Sequence, residues 1–155
     1  MLFVFQGETF SLQDYKIDAN SMPNDLYELV INGGGDVVFE AKSFSKLPQL
    51  NTIVIRNTTA LHVKRESFVN LSTRRLELAI NSVERVEIES KSFYLLKAPV
   101  AYVISMCWSL TIHSDAMPWI DSLIVQDVRY FQLHENAFSR TEKNYHQNHT
   151  TTVSV

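Results

Sequence analysis

Apolar residues along this chain return in a fixed order, with a period far longer than that of a helix or a single strand. The segment Leu61-His62-Val63-Lys64-Arg65-Glu66-Ser67-Phe68 shows the unit: apolar-x-apolar, three residues, a small residue, then a large apolar one. Val37-Val38-Phe39 leads in the same way to Ser43-Phe44, and Val86-Glu87-Ile88 leads to Ser92-Phe93. Leu110-Thr111-Ile112 leads to Ala116-Met117, and Phe131-Gln132-Leu133 to Ala137-Phe138. The anchors at 44, 68, 93, 117 and 138 are separated by 24, 25, 24 and 21 residues. A second apolar set precedes each anchor. Leu26, Leu29 and Ile31 align with Leu50, Ile53 and Ile55, then with Leu78 and Ile80, Tyr102 and Ile104, and Ile120, Leu123 and Val125. Leu47, Leu71 and Leu96 each follow an anchor by three residues.

Both apolar sets alternate with period two and carry β-branched residues, which predicts two short strands per unit. A unit of about 24 residues cannot bury its apolar side alone, whereas like units stacked in register bury a continuous core. The expected fold is therefore mainly β: a parallel β-solenoid of about five rungs, with strands about 4.8 Å apart. Phe44, Phe68, Phe93, Met117 and Phe138 should form an internal ladder, each buried side chain contributing about 1.5–3 kcal/mol. The small residue before each anchor predicts a crowded turn. Three regions follow. Residues 1–25 read as a partial N-terminal rung and loop, because Phe3-Val4-Phe5-Gln6-Gly7-Glu8-Thr9-Phe10 matches the Leu61–Phe68 segment and the next anchor comes 34 residues later. The chain is thus expected to start halfway through a rung, with Ser11–Asp25 as an enlarged loop. Residues 26–140 read as the solenoid, and the polar stretch 141–155 as a disordered tail. Gly33-Gly34-Gly35 reads as a tight turn between strands.

The repeat resembles that of leucine-rich-repeat proteins. Leu50-x-x-Ile53-x-Ile55-x-Asn57 is similar to the family's strand signature, and Val63-x-x-x-Ser67-Phe68-x-x-Leu71 to the return side of a variant with a small residue and Phe before the convex-side leucine. The likeness covers about residues 26–138. It departs from the family where a ladder asparagine belongs, since that column reads Gly33, Asn57, Ser82, Met106, Asp127; Asn32 and Asn81 stand one residue earlier as substitutes. The resemblance implies one concave sheet and recognition of another protein. The rival is a right-handed parallel β-helix, whose rungs have similar length and carry flat sheets on several sides.

Composition narrows the function. A net charge of -3 with 14 Lys and Arg residues supplies no basic excess for nucleic acid. The 45% hydrophobic and 20% charged content suits a packed domain. Cys107 is the single cysteine, which excludes an intrachain disulfide and cysteine zinc sites, and beside Trp108 it reads as a core or edge thiol. No apolar run reaches the roughly 18 residues of a membrane helix, so direct membrane insertion by this segment is not expected. Met1-Leu2-Phe3-Val4-Phe5 is too short for a signal-peptide core.

On the first strand of each rung, the residue between the two inward positions must point outward. That column is Val30, Val54, Ala79, Val103, Ile124, apolar throughout, beside the mostly polar Glu28, Thr52, Glu77, Ala101, Ser122. An apolar stripe on an outer sheet face is a candidate partner-binding surface. Asn57, Asn70 and Asn148 begin sequons and are candidate glycosylation sites if the protein is secreted. His113 and His134 share an outward column near Glu89 without a third clear metal ligand, so no metal site is assigned. Nothing assembles a catalytic set: the glycines lack a following Lys-Ser/Thr, and His113-Ser114-Asp115 is adjacent in sequence without triad geometry. The expectation is a non-enzymatic protein-recognition module without cofactor, extracellular or at the cell surface, and a fragment of a longer protein. Its partner is another protein on the sheet face, with self-association through uncapped ends. The alternatives are a carbohydrate-binding or carbohydrate-cleaving β-helix protein and a truncated repeat with no activity of its own.

Overall fold

A computed structural model describes residues 1–6, 13–117, 120–138 and 150–153. These residues contain strands and turns with no helix: β1 (Leu2–Gln6), β2 (Tyr15–Ile17), β3 (Glu28–Asn32), β4 (Asp36–Phe39), β5 (Thr52–Val63), β6 (Leu76–Ile88), β7 (Val100–Ile112), β8 (Ile120–Leu133) and β9 (Thr150–Val153). Every pairing is parallel, in the order β1-β3-β5-β6-β7-β8-β9, with β4 joining β2 to β5. The chain is a parallel β-solenoid of about five turns spaced by about 24 residues, as the apolar period predicts.

The strands are longer than two separate short runs would be. In β5, Ile53 and Ile55 point inward, Arg56 and Asn57 are both exposed, and inward positions resume at Thr58, Leu61 and Val63. The strand therefore bends at Asn57, and the alternation resets there. The corner residue takes a left-handed conformation in five successive turns: Gly33 (φ 82), Asn57 (φ 56), Ser82 (φ 54), Met106 (φ 53) and Asp127 (φ 54). This is the column that departs from a regular asparagine ladder. Side-chain bonds do run between turns at the corner: Asn57 Nδ2 donates to Asn32 Oδ1 at 2.8 Å, and Asn81 Nδ2 to Ser105 Oγ at 2.8 Å. Asn32 and Asn81, one residue before the corner, thus each take part in one bond between turns.

The anchors line up inside. Phe44, Phe68 and Phe93 are fully buried, with ring centroids 4.7 and 4.4 Å apart and interplanar angles of 14° and 7°. Met117 is fully buried, and Phe138 packs partly buried against the same core. The small residue before each anchor has a second use besides fitting a crowded turn. Ser43, Ser67 and Ser92 are buried, and their hydroxyls donate to the carbonyls of Glu40, Lys64 and Glu89, three residues back. Each of these carbonyls also accepts the backbone N–H of the same serine, so the hydroxyl adds a second bond that closes the turn. Ala116 and Ala137 fill the same position by size alone.

The beginning of the chain is arranged differently from the expectation. Phe3-Val4-Phe5 occupies the first strand of a turn, paired with Leu29-Val30-Ile31, and not the second. The second strand of that turn is Tyr15-Lys16-Ile17, paired with Val37-Val38-Phe39, inside the stretch read as a loop. An apolar-x-apolar triplet fits either strand, so the pattern at Phe3 alone could not choose; Tyr15-Lys16-Ile17, 22 residues before Val37, was the missed signal. Gly34 (φ 116) permits this arrangement, since a Cβ there would lie 2.6 Å from the Tyr15 ring. At the other end, Thr150–Val153 pairs with Ser122–Val125, placing a strand within the stretch read as a disordered tail; 141–149 lie outside the described residues.

Candidate functional site

The first halves of the strands form one sheet, and its outer face carries the predicted stripe. Register places Val30 beside Val54, Val54 beside Ala79, Ala79 beside Val103, and Val103 beside Ile124. All five are half-buried, their flanks shielded by neighbouring side chains while the outer faces meet solvent. Val4 pairs with Val30 and extends the column by one turn, 50% exposed. It was missed because its strand was assigned to the other side of the coil. Arg75 spans β7 to reach Asp121 at 2.7 Å, closing one border of the stripe with charge; Ala101, on the strand it crosses, is buried.

Around the corner, the second halves of β7 and β8 present an aromatic group that the sequence did not single out. Trp108 and Tyr130 are 48% and 55% exposed, with ring centroids 5.5 Å apart. The Arg129 guanidinium lies 4.3 Å from the Trp108 ring centroid, a cation–π geometry. Met106 is 53% exposed on the adjacent corner, and a shallow groove of about 540 Å³ runs past Thr58, Ser82, Met106, Trp108 and Arg129. Cys107 points the other way: it is buried, and burial pushes its thiol pKa up, which suits a packing role and not a nucleophile.

Further along the second sheet, polar side chains cross from turn to turn. Lys64 Nζ lies 2.9 Å from Glu89 Oε1, a hydrogen bond that raises the lysine pKa. His113 is bonded to Glu87, with Nε2 to Oε1 at 2.9 Å, and not to Glu89. His62 Nδ1 approaches the other Glu87 oxygen at 3.4 Å. Bonding to His113, and then to His62, holds the Glu87 carboxyl below the usual carboxylate range despite partial desolvation. His134 stacks on His113, 4.7 Å between centroids at 16°. The two histidines are half-buried on the outer face. No cluster of three or more metal-ligating side chains occurs among the described residues.

The sequon residues Asn57 and Asn70 are exposed in left-handed turns, on opposite sides of the coil's second strand. Asn148 lies outside the described residues. Among the described residues no helix is long and apolar enough to cross a membrane. No protein-family model, curated protein or solved structure matches the chain.

Proposed function

We propose that this chain is a non-enzymatic protein-recognition module whose partner docks on the outer face of the first sheet. The observation that carries the reading is the unbroken column Val30, Val54, Ala79, Val103, Ile124, held on a stack of hydrogen-bonded strands with Val4 beyond it. A rigid backbone loses little freedom on binding, so apolar area on it converts to affinity with a small ordering cost. Trp108, Arg129 and Tyr130 supply around the corner the residue types that dominate interface energies.

The leucine-rich-repeat relationship is part of this proposal. It is supported by the corner asparagine at Asn57, by the Ser–Phe pairs with stacked phenylalanines, and by the buried Leu47, Leu71 and Leu96 that follow them. The extracellular setting rests on the two exposed sequons. A carbohydrate-binding β-helix is the second reading, favoured by parallel pairing that continues through the second strand of each turn and by the exposed Trp108–Tyr130 pair.

The test charges the stripe with Val54→Glu and Val103→Glu together. Screening against an array of cell-displayed ectodomains should identify a captured protein with the unaltered chain and no capture with the double variant, while circular dichroism stays unchanged. Capture persisting in a folded double variant overturns the site. Binding to a glycan array that requires Trp108 and ignores the stripe selects the second reading.

A further inference from the structure

The outer face of the second sheet and the turns that follow it gather titratable groups from successive coils: Asp36 and Glu40 from β4 and its turn, His62, Lys64 and Arg65 from β5 and its turn, Arg85, Glu87 and Glu89 from β6 and its turn, His113 and Asp115 from the turn after β7, His134 and Glu135 from the turn after β8. The permanent cations have acidic neighbours: Lys64 with Glu89 at 2.9 Å, Arg85 with Asp36 at 3.8 Å, Arg65 with Glu66 at 3.5 Å, and Lys16 with Glu40 at 3.7 Å. Glu87 is occupied by imidazoles. One of its oxygens faces His62 at 3.4 Å and the other faces His113 at 2.9 Å. On the far side of His113 lies the parallel ring of His134. The line His62, Glu87, His113, His134 therefore crosses the joints between four consecutive strands, β5 to β8.

We propose that this line makes the joint between β7 and β8 sensitive to acid. Imidazoles gain a proton within the range from about pH 8 to 5. A proton on His62 or His113 meets the Glu87 carboxylate and tightens the joints on either side of β6. A proton on His134 as well places two cations face to face, with Glu87 held between His62 and His113, two coils from His134. The repulsion falls on the joint of β8 with β7 where the His134 amide donates to the Ile112 carbonyl at 3.0 Å, with the Asp115–Asn136 and Met117–Ala137 backbone bonds beyond it. The equivalent bond one joint earlier, from the His113 amide to the Ile88 carbonyl at 3.0 Å, lies on the tightened side. Acid thus loosens one joint and spares its neighbour.

Amide exchange at pH 7.5 and 5.5, corrected for the pH dependence of the exchange chemistry itself, tests this in the full chain. Protection of the His134 amide should fall about tenfold at the lower pH, the scale of one charge pair near a protein surface, while that of the His113 amide changes less than about twofold. High salt should shrink the fall by screening the facing charges. In His134→Gln and in His113→Gln, each checked for fold by circular dichroism, the fall should vanish. An equal fall at both amides, no fall at either, or a fall that survives high salt and both glutamine variants overturns the proposal.

Discussion

The two outer sheet faces of the solenoid are built on the same strands and the same register, yet they hold the coils together and meet the solvent in opposite ways. On the first sheet, the central outward column is aliphatic from Val4 to Ile124, and the ion pair nearest to it, Arg75 with Asp121, lies at its border. On the second, Lys64–Glu89 and the His62–Glu87–His113–His134 line join turn to turn through charge. What differs most is the outward residue, since the inward residues of both sheets are mainly apolar. Stacked coils thus separate stability, carried by the inward columns, from surface chemistry, which each outward column can vary freely. The apolar face gains by being covered. The charged face is already satisfied within the molecule.

The largest effect on that contrast comes from removing what both faces share. Phe68→Ala deletes a ring stacked between Phe44 and Phe93 and should cost about 3–5 kcal/mol, a large part of the stability of a domain this size. Urea unfolding should show the loss, and both faces should lose exchange protection together; a loss confined to one face would show that the sheets are separately supported.

A smaller effect of opposite sign is expected behind the apolar face. Tyr102 stands where β3, β5, β6 and β8 have Leu29, Ile53, Leu78 and Leu123, and its fully buried hydroxyl has no hydrogen-bond partner among the described residues. Burial also pushes its pKa well above the usual phenol range. Tyr102→Phe removes an unsatisfied polar atom and keeps the ring packed against Phe93, so the midpoint of urea unfolding should rise by the equivalent of about 1 kcal/mol. A destabilised variant would mean that the hydroxyl has a partner, such as a buried water.

The smallest effect belongs to the charged face. Glu87 is lowered below 4.5 by His113 and His62, so it stabilises the fold above that pH and loses the contribution as pH falls through its lower folded value. It is 41% exposed, which limits the gain to a few tenths of a kcal/mol up to about 1. Thermal melts of Glu87→Gln should therefore lie slightly below the unaltered chain at pH 6–7 and converge with it in stronger acid. Capture at the apolar face should not change.

The repeat made most of this fold legible from residues alone. Apolar columns at 24-residue spacing gave the stacked phenylalanines and the outward position of all five stripe residues, because strand alternation leaves them no other direction. Three features escaped for definable reasons. Phe3-Val4-Phe5 satisfied two strand patterns at once, and only pairing with β3 separates them. Trp108 follows a left-handed corner at Met106 that resets the alternation, so its outward direction could not be counted from Val103. The His113–Glu87 bond runs diagonally, from one outward column to the next, and depends on side-chain rotamers that periodicity does not specify.

The register between neighbouring coils, regular but for one bulge between β7 and β8, has a consequence for how such a surface can change size. Each coil adds one residue to the aliphatic line and about 4.8 Å to its length. Duplicating or excising a whole coil would lengthen or shorten this ruler by one graduation and leave its chemistry intact. Gaining a single residue inside a first strand would turn everything beyond it by half a step unless a bulge absorbed it, as at Asp121 in β8, after which the stripe resumes at Ile124. A lineage built on this plan can explore footprints in whole graduations, and any single extra residue has to be taken up by a bulge.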